Sequence, residues 1–221
     1  MLKNVLITRT TETSDFTLIF GVNEKNINKE KDKIVSLSTC TGNAAAPFLK
    51  LINEEYDIQN GYLATIHPVL SSEKSLDGNN RLSQLGRASK NVKLIDTAIT
   101  KSVIEVLPNL KNKLSEKSIS YRIPTDIVSS VYGVIQIAKE VKKEDLINCL
   151  EKKLNPEIFG VCYGNFGKEL VSLDYIKDSR SSILSSFRTS VHHNLVSFHL
   201  WHDNEYGYCS RVYDAIKLFS T

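Results

Sequence analysis

Apolar residues in this chain come mainly as short β-like runs that follow one another with few helical stretches between them. NVLIT (4–8), FTLIFGV (16–22), IVSL (34–37) and YLATIHPVL (62–70) are followed by SISYRIP (118–124) and DIVSSVYGVIQIAK (126–139). Residues 158–163, 169–175, 181–184 and 190–201 read as further strands. A doubly wound parallel sheet needs a helix between each pair of strands, so this order predicts an α+β fold. The expected architecture is a mostly antiparallel sheet with helices packed on one face. Helical spacing is confined to 44–56, to 97–107 before Pro108, to 142–154 and to 204–220. In the third, Leu146, Ile147, Leu150 and Leu154 form one stripe, with Cys149 bordering it as a small buried hydrophobe. In the last, Tyr206, Val212, Tyr213 and Ile216 read as packing residues and Arg211 as solvated. Pro47 is expected in the first turn of its helix, where a missing N–H costs little. The charged run 23–33 reads as a solvated connection, and 71–91 as a long surface loop of the kind that often carries function.

With 221 residues and no composition shift, the chain reads as a single domain over 1–221, with 1–33 as entry strands and linker. Lys and Arg total 28 against 25 Asp and Glu, a net charge of +3 that is too mild for a nucleic-acid partner. No apolar run approaches the ~18–20 residues of a membrane span, nor does the N-terminus read as a signal peptide; a cytoplasmic, reduced setting is expected, with no membrane partner. Cys40, Cys149, Cys162 and Cys209 form neither a CxxC pair nor a disulfide framework. His192, His193, His199 and His202 with Cys209 match no zinc spacing, so no metal is expected. Gly160, Gly164 and Gly167 have the wrong spacing for a dinucleotide-binding turn.

Cys40 lies where a strand runs into a helix. A thiol there faces unsatisfied N–H groups and the positive end of the macrodipole, both of which favour the thiolate. His67 follows at the end of a strand. Each alone is compatible with a structural role, as a buried thiol and a satisfied histidine. Together they form a candidate nucleophile and acid–base pair.

SLSTCTGNAAAP (36–47), ATIHP (64–68), YRIPT (121–125), SLDYIKDSRSSI (172–183) and WHDNEYGY (201–208), in this order, resemble the catalytic domain of phosphorylating glyceraldehyde-3-phosphate dehydrogenases. The family's S-C-T-T-N-C core reads T-C-T-G-N-A here, and its N-terminal Rossmann domain of ~150 residues has no counterpart in the chain. The resemblance implies that Cys40 is the nucleophile and His67 the general base. It implies that Asn204 holds the nicotinamide carboxamide, with Tyr208 beside the ring. Thr39, Thr41, Ser72, Arg87, Thr97 and Arg122 become the substrate- and phosphate-binding set. Leu70 replaces a phosphate-site threonine, Gly42 another threonine and Ala98 a glycine, and either Gly86 or Arg87 falls at a phosphate arginine.

The activity so implied is oxidation and phosphorylation of glyceraldehyde 3-phosphate, or a related phosphorylated aldehyde such as erythrose 4-phosphate, with NAD or NADP and inorganic phosphate. Partners implied are a homo-oligomer, dimer or tetramer, and a separate Rossmann-domain chain. Two other functions remain open from sequence: a non-redox oligomerisation or binding module, and cysteine acyl transfer or ester hydrolysis through Cys40.

Overall fold

The computed structural model describes residues 4–70, 91–154 and 161–220. Ser72 and Arg87 therefore lie outside the described residues, as does most of the expected 71–91 loop. The strands are β1 (Val5–Ile7), β2 (Phe16–Thr17), β3 (Ile34–Ser36), β4 (Ile58–Pro68), β5 (Lys93–Thr97), β6 (Ser118–Ile123), β7 (Ser129–Ile137), β8 (Cys162–Asn165), β9 (Ser182–Ser185), β10 (Ser190–His192) and β11 (Leu195–His202). The helices are α1 (Cys40–Tyr56), α2 (Ile99–Val106), α3 (Lys143–Lys153) and α4 (Tyr206–Ser220).

Eight strands make one sheet in the order β5-β6-β4-β7-β11-β9-β8, with β10 paired to β11. The α+β class is as expected, and most pairings in this sheet are antiparallel, but β4/β6 and β8/β9 run parallel. Alternation along one strand cannot report its neighbour's direction. A second sheet, β1-β3-β2, is wholly parallel. Val35 of β3 and Leu18 and Leu37, just past the ends of β2 and β3, are buried with Ala215 of α4, and Val212 packs on them.

Along the large sheet, residues on one face are buried beneath the helices while their neighbours are wetter, the period-2 pattern of a sheet covered on one side. Ile135, Ile137, Val196, Phe198 and Leu200 on that face join Phe48, Leu49 and Ile52 of α1 and Leu146 and Leu150 of α3 in the main core. Phe48 meets Phe198 at a ring separation of 4.7 Å. Gly133, in register with Phe198 across β7 and β11, has no Cβ because the Phe198 ring occupies that space.

Several local expectations change. α1 starts at Cys40 rather than residue 44, so Pro47 lies inside the helix and Asn43 C=O receives no N–H from it. The 16–22 run is a strand only at Phe16–Thr17, because the chain turns back and Val22 N–H bonds Ile19 C=O. Residues 172–175, expected as strand, form a 3-10 turn in which Asp174 accepts from Val171 N–H. Thr97 ends strand β5, with α2 beginning after it. The 190–201 run is a hairpin that turns at His193, which has φ 54. Arg211 is buried, pairing with Asp214, whereas Tyr206, Tyr213 and Ile216 are exposed. Cys149 is half-buried.

Candidate active site

Cys40 is placed by an elbow between β3 and α1. Ser38 adopts φ 58, an uncommon left-handed conformation for a residue with a side chain, and its N–H bonds Ser36 Oγ at 3.1 Å. The Asn43 amide reaches back to Leu37 C=O at 2.8 Å and Thr39 C=O at 2.9 Å. Thr39 is the helix N-cap, accepting from Gly42 N–H at 3.0 Å, and its hydroxyl also meets Thr41 Oγ1 at 3.2 Å and Ser102 Oγ at 3.4 Å. Gly42 is required here: a Cβ would come within 2.8 Å of Ser102 Cβ and 2.7 Å of Ser38 Oγ. Ser102, on α2, thus fills the space that the threonine side chain of the family would need. Tyr208 of α4 buttresses the elbow, donating its hydroxyl to Ser38 C=O at 3.1 Å.

His67 faces the thiol, with Nε2 3.9 Å from Cys40 Sγ. Its Nδ1 lies 2.8 Å from Pro68 C=O, and a carbonyl only accepts, so Nδ1 carries the proton. That tautomer leaves the Nε2 lone pair directed at the thiol. Burial pushes the Cys40 thiol up, against the opposing pull of Thr41 N–H and the Arg122 guanidinium. The helix terminus was expected to favour the thiolate; desolvation opposes it and outweighs it. Burial also raises Tyr208, and its nearness to Cys40 adds to that.

The sheet supplies the rest of the site through its register. Lys93 pairs with Arg122 on β6, Arg122 with His67 on β4, and Ser129 on β7 with His202 on β11. Ile66 pairs with Ser130, so one position further along His67 comes level with Ser129. Lys93, Arg122, His67, Ser129 and His202 therefore line up across five strands on the helix-covered face, since residues in register share a face. Ser129 donates to Asn204 Oδ1 at 3.2 Å, leaving the Asn204 amide nitrogen as a donor. His202 is buried and pushed down to about 3, first by desolvation and then by His67, so it stays neutral at working pH. Neither ring nitrogen of His202 has a hydrogen-bond partner among the described residues.

The structure thus gathers Cys40, His67, Thr39, Thr41, Tyr208, Asn204 and Arg122 around the start of α1. Thr97 pairs with Ser118, four residues along β5 from Lys93, and makes no side-chain hydrogen bond to the Cys40 cluster among the described residues. Sequence reading missed Lys93, Ser129 and Ser102 and weighed His202 only as a metal ligand. The period-2 pattern marks their faces, but only strand pairing sets them beside His67.

A thiol on a helix-terminal elbow, facing an imidazole of fixed tautomer, has the geometry that covalent thiol chemistry requires. Comparison with known proteins specifies the family. The family described as "Glyceraldehyde 3-phosphate dehydrogenase, C-terminal domain" matches residues 39–204, about three-quarters of the chain. A glyceraldehyde-3-phosphate dehydrogenase of Priestia megaterium is 34% identical over 217 residues, covering 97% of this chain and 64% of that protein. Glyceraldehyde-3-phosphate dehydrogenase 2 of Bacillus subtilis is 31% identical over 97% of this chain and 63% of its own length. The cytosolic enzyme of Nicotiana tabacum is 34% identical over 90% of this chain and 60% of its own length. The chain belongs to the glyceraldehyde-3-phosphate dehydrogenase C-terminal domain family, and it spans just under two-thirds of the length of these relatives. Among the described residues no helix is long and apolar enough to cross a membrane.

Proposed function

We propose that the chain is the catalytic domain of a phosphorylating aldehyde dehydrogenase, acting on glyceraldehyde 3-phosphate or a related phosphorylated aldehyde. The observation that carries this is the 3.9 Å approach of His67 Nε2 to Cys40 Sγ, in the tautomer able to take the thiol proton. In the proposed sequence Cys40 passes its proton to His67 Nε2 as its sulfur bonds to the aldehyde carbon, and His67 returns that proton to the former carbonyl oxygen, giving a thiohemiacetal and freeing Nε2. His67 Nε2 next receives the hydroxyl proton as the carbon loses hydride, leaving a thioester on Cys40. Attack by inorganic phosphate on the thioester carbon then breaks the C–S bond, forming an acyl phosphate and restoring the thiol.

A nicotinamide dinucleotide supplies the hydride acceptor when bound. Its nicotinamide end fits the residues present: Asn204 keeps an amide donor free because Ser129 holds its oxygen, and the Tyr208 ring lies beside Cys40. The sequence offers no glycine-rich turn for the pyrophosphate, so the proposal includes a nucleotide-binding domain that completes the site. A cytoplasmic setting and a homo-oligomer belong to the same reading. Free cysteines and the cytosolic relative support the first. The outer sheet face, with Tyr62 and Leu195 exposed, supports the second.

Acyl transfer from an acyl phosphate runs the last step backwards and needs no nucleotide. Incubation with acetyl phosphate is expected to leave one acetyl group on Cys40, seen by peptide mapping. Cys40→Ser abolishes it and His67→Asn slows it at least ~100-fold. Because burial holds the thiol up, the wild-type rate should still be climbing above the ordinary thiol range near pH 8.5. A Cys40 no more reactive than Cys209 would favour the binding-module reading instead.

A further inference from the structure

β11 presents Val196, Phe198, Leu200 and His202 to the covered face, and the first three join the apolar core. His202 breaks that succession, although it is only 2% exposed. Its ring stays neutral, so one nitrogen carries a proton and the other a lone pair, and neither has a hydrogen-bond partner among the described residues. An imidazole buried in this way costs stability that an apolar side chain would not, and a group kept at such a cost points to function.

His202 stands in one row with His67, two strands away, and only the short Ser129 side chain comes between them in that row. At ordinary strand spacing the two backbones are about 10 Å apart. Ser129 turns its hydroxyl to Asn204, and the charge of His67 is felt at His202. Two residues before His67 on the same face of β4, Thr65 is 1% exposed, and its hydroxyl also has no partner among the described residues. Buried polar groups without a protein partner are met by ordered water, and an imidazole and a hydroxyl near the base offer water both donors and acceptors.

We propose that His202 holds a water molecule beside His67 and that this water hydrolyses an acyl group carried on Cys40, which makes the domain an acyl-phosphate hydrolase that needs no nucleotide. This rests on the reading of Cys40 and His67 as the reacting pair and goes beyond it. In the first step Cys40 sulfur bonds to the acyl carbon of an acyl phosphate, the C–O bond breaks, and the thiol proton leaves with inorganic phosphate. In the second, the water oxygen bonds to the thioester carbon and one water proton passes to His67 Nε2. The C–S bond then breaks, sulfur takes that proton, and a free carboxylic acid departs. The lone pair of the neutral His202 ring accepts a hydrogen bond from the water's other O–H, which keeps an oxygen lone pair turned to the carbon. His202 is thus a positioning residue for the water, while His67 moves the proton.

The test loads Cys40 with acetyl phosphate, removes the excess by desalting and follows loss of the acetyl group by peptide mapping in wild type, His202→Leu and His202→Gln. In water enriched in heavy oxygen, hydrolysis is read as label in the released acetate. In a parallel sample, added inorganic phosphate returns the acetyl group to acetyl phosphate, which is measured separately. We expect wild type to release labelled acetate, the ratio of hydrolysis to phosphorolysis to fall at least about tenfold in His202→Leu, and recovery to within about threefold in His202→Gln, whose amide again offers a donor and an acceptor. General distortion of the site would slow both fates alike, and an unchanged ratio in His202→Leu overturns the proposal. A stable acetyl group on wild-type Cys40 overturns it too, while leaving the reacting-pair reading intact. If no acetyl group forms on Cys40 at all, the reacting-pair reading fails and the hydrolase proposal fails with it.

Discussion

The covered face of the large sheet divides into two halves with opposite chemistry under one set of helices. Beneath the body of α1 and beside α3, β7 and β11 away from their Ser129 and His202 ends are aliphatic and aromatic: Ile135, Ile137, Val196, Phe198 and Leu200. The β5–β6–β4 half, near the start of α1, carries Lys93, Arg122, His67, Thr65 and Ser120, all but Arg122 as buried as the core residues opposite. Equal burial with unequal polarity distinguishes the two. The aliphatic half gains from leaving water. The polar half loses by it, and under the proposed function His67 and Arg122 stand there to act on Cys40.

The sharpest way to break this division is Phe198→Ala. It removes a fully buried ring packed at a tilt against Phe48 and should cost about 3–5 kcal/mol in chemical denaturation. The geometry of Cys40 and His67 lies in the other half, so acetylation of Cys40 under native conditions should persist. A collapse of both together would show that the halves are one cooperative unit.

Ser120→Ala tests the polar half in the opposite direction. Deleting a buried hydroxyl that lacks a partner among the described residues should raise stability by roughly 1–2 kcal/mol, measured by urea unfolding. A loss of stability would mean that Ser120 is satisfied and serves the core.

Thr39→Ala acts on the helix shared by both halves. Loss of the N-cap bond to Gly42 should cost about 1 kcal/mol and slow acylation only modestly, since Asn43 still anchors the elbow. A large fall in acylation with little change in stability would assign the Thr39 hydroxyl to catalysis rather than to capping.

Much of this was legible in one dimension. The succession of strands specified the α+β class, because helices are too few to separate parallel strands throughout. The junction at STCTGN marked Cys40, and the end of the YLATIHP run marked His67. Boundaries were less legible where local pattern met a tertiary demand. α1 extends back to Cys40 because Thr39 and Asn43 cap and brace its start, a bonding arrangement that spacing does not announce. Residues 172–175 look like a strand but close into a turn on Asp174. Arg211 looks like a surface charge on its helix, yet Asp214 holds it in a buried position.

The sequence by itself determined the alternation of each strand, the helix faces, and the placing of a candidate thiol and imidazole at strand ends, because these follow from local periodicity and backbone preference. Tertiary structure decided which strands are neighbours and in which direction. Register is a property of pairs, set by how distant segments meet, and it lines up Lys93, Arg122, His67, Ser129 and His202 although they are spread over more than a hundred residues. Tertiary structure also sets the balance at Cys40: helix position alone favours the thiolate, whereas desolvation in the packed fold pushes the thiol up.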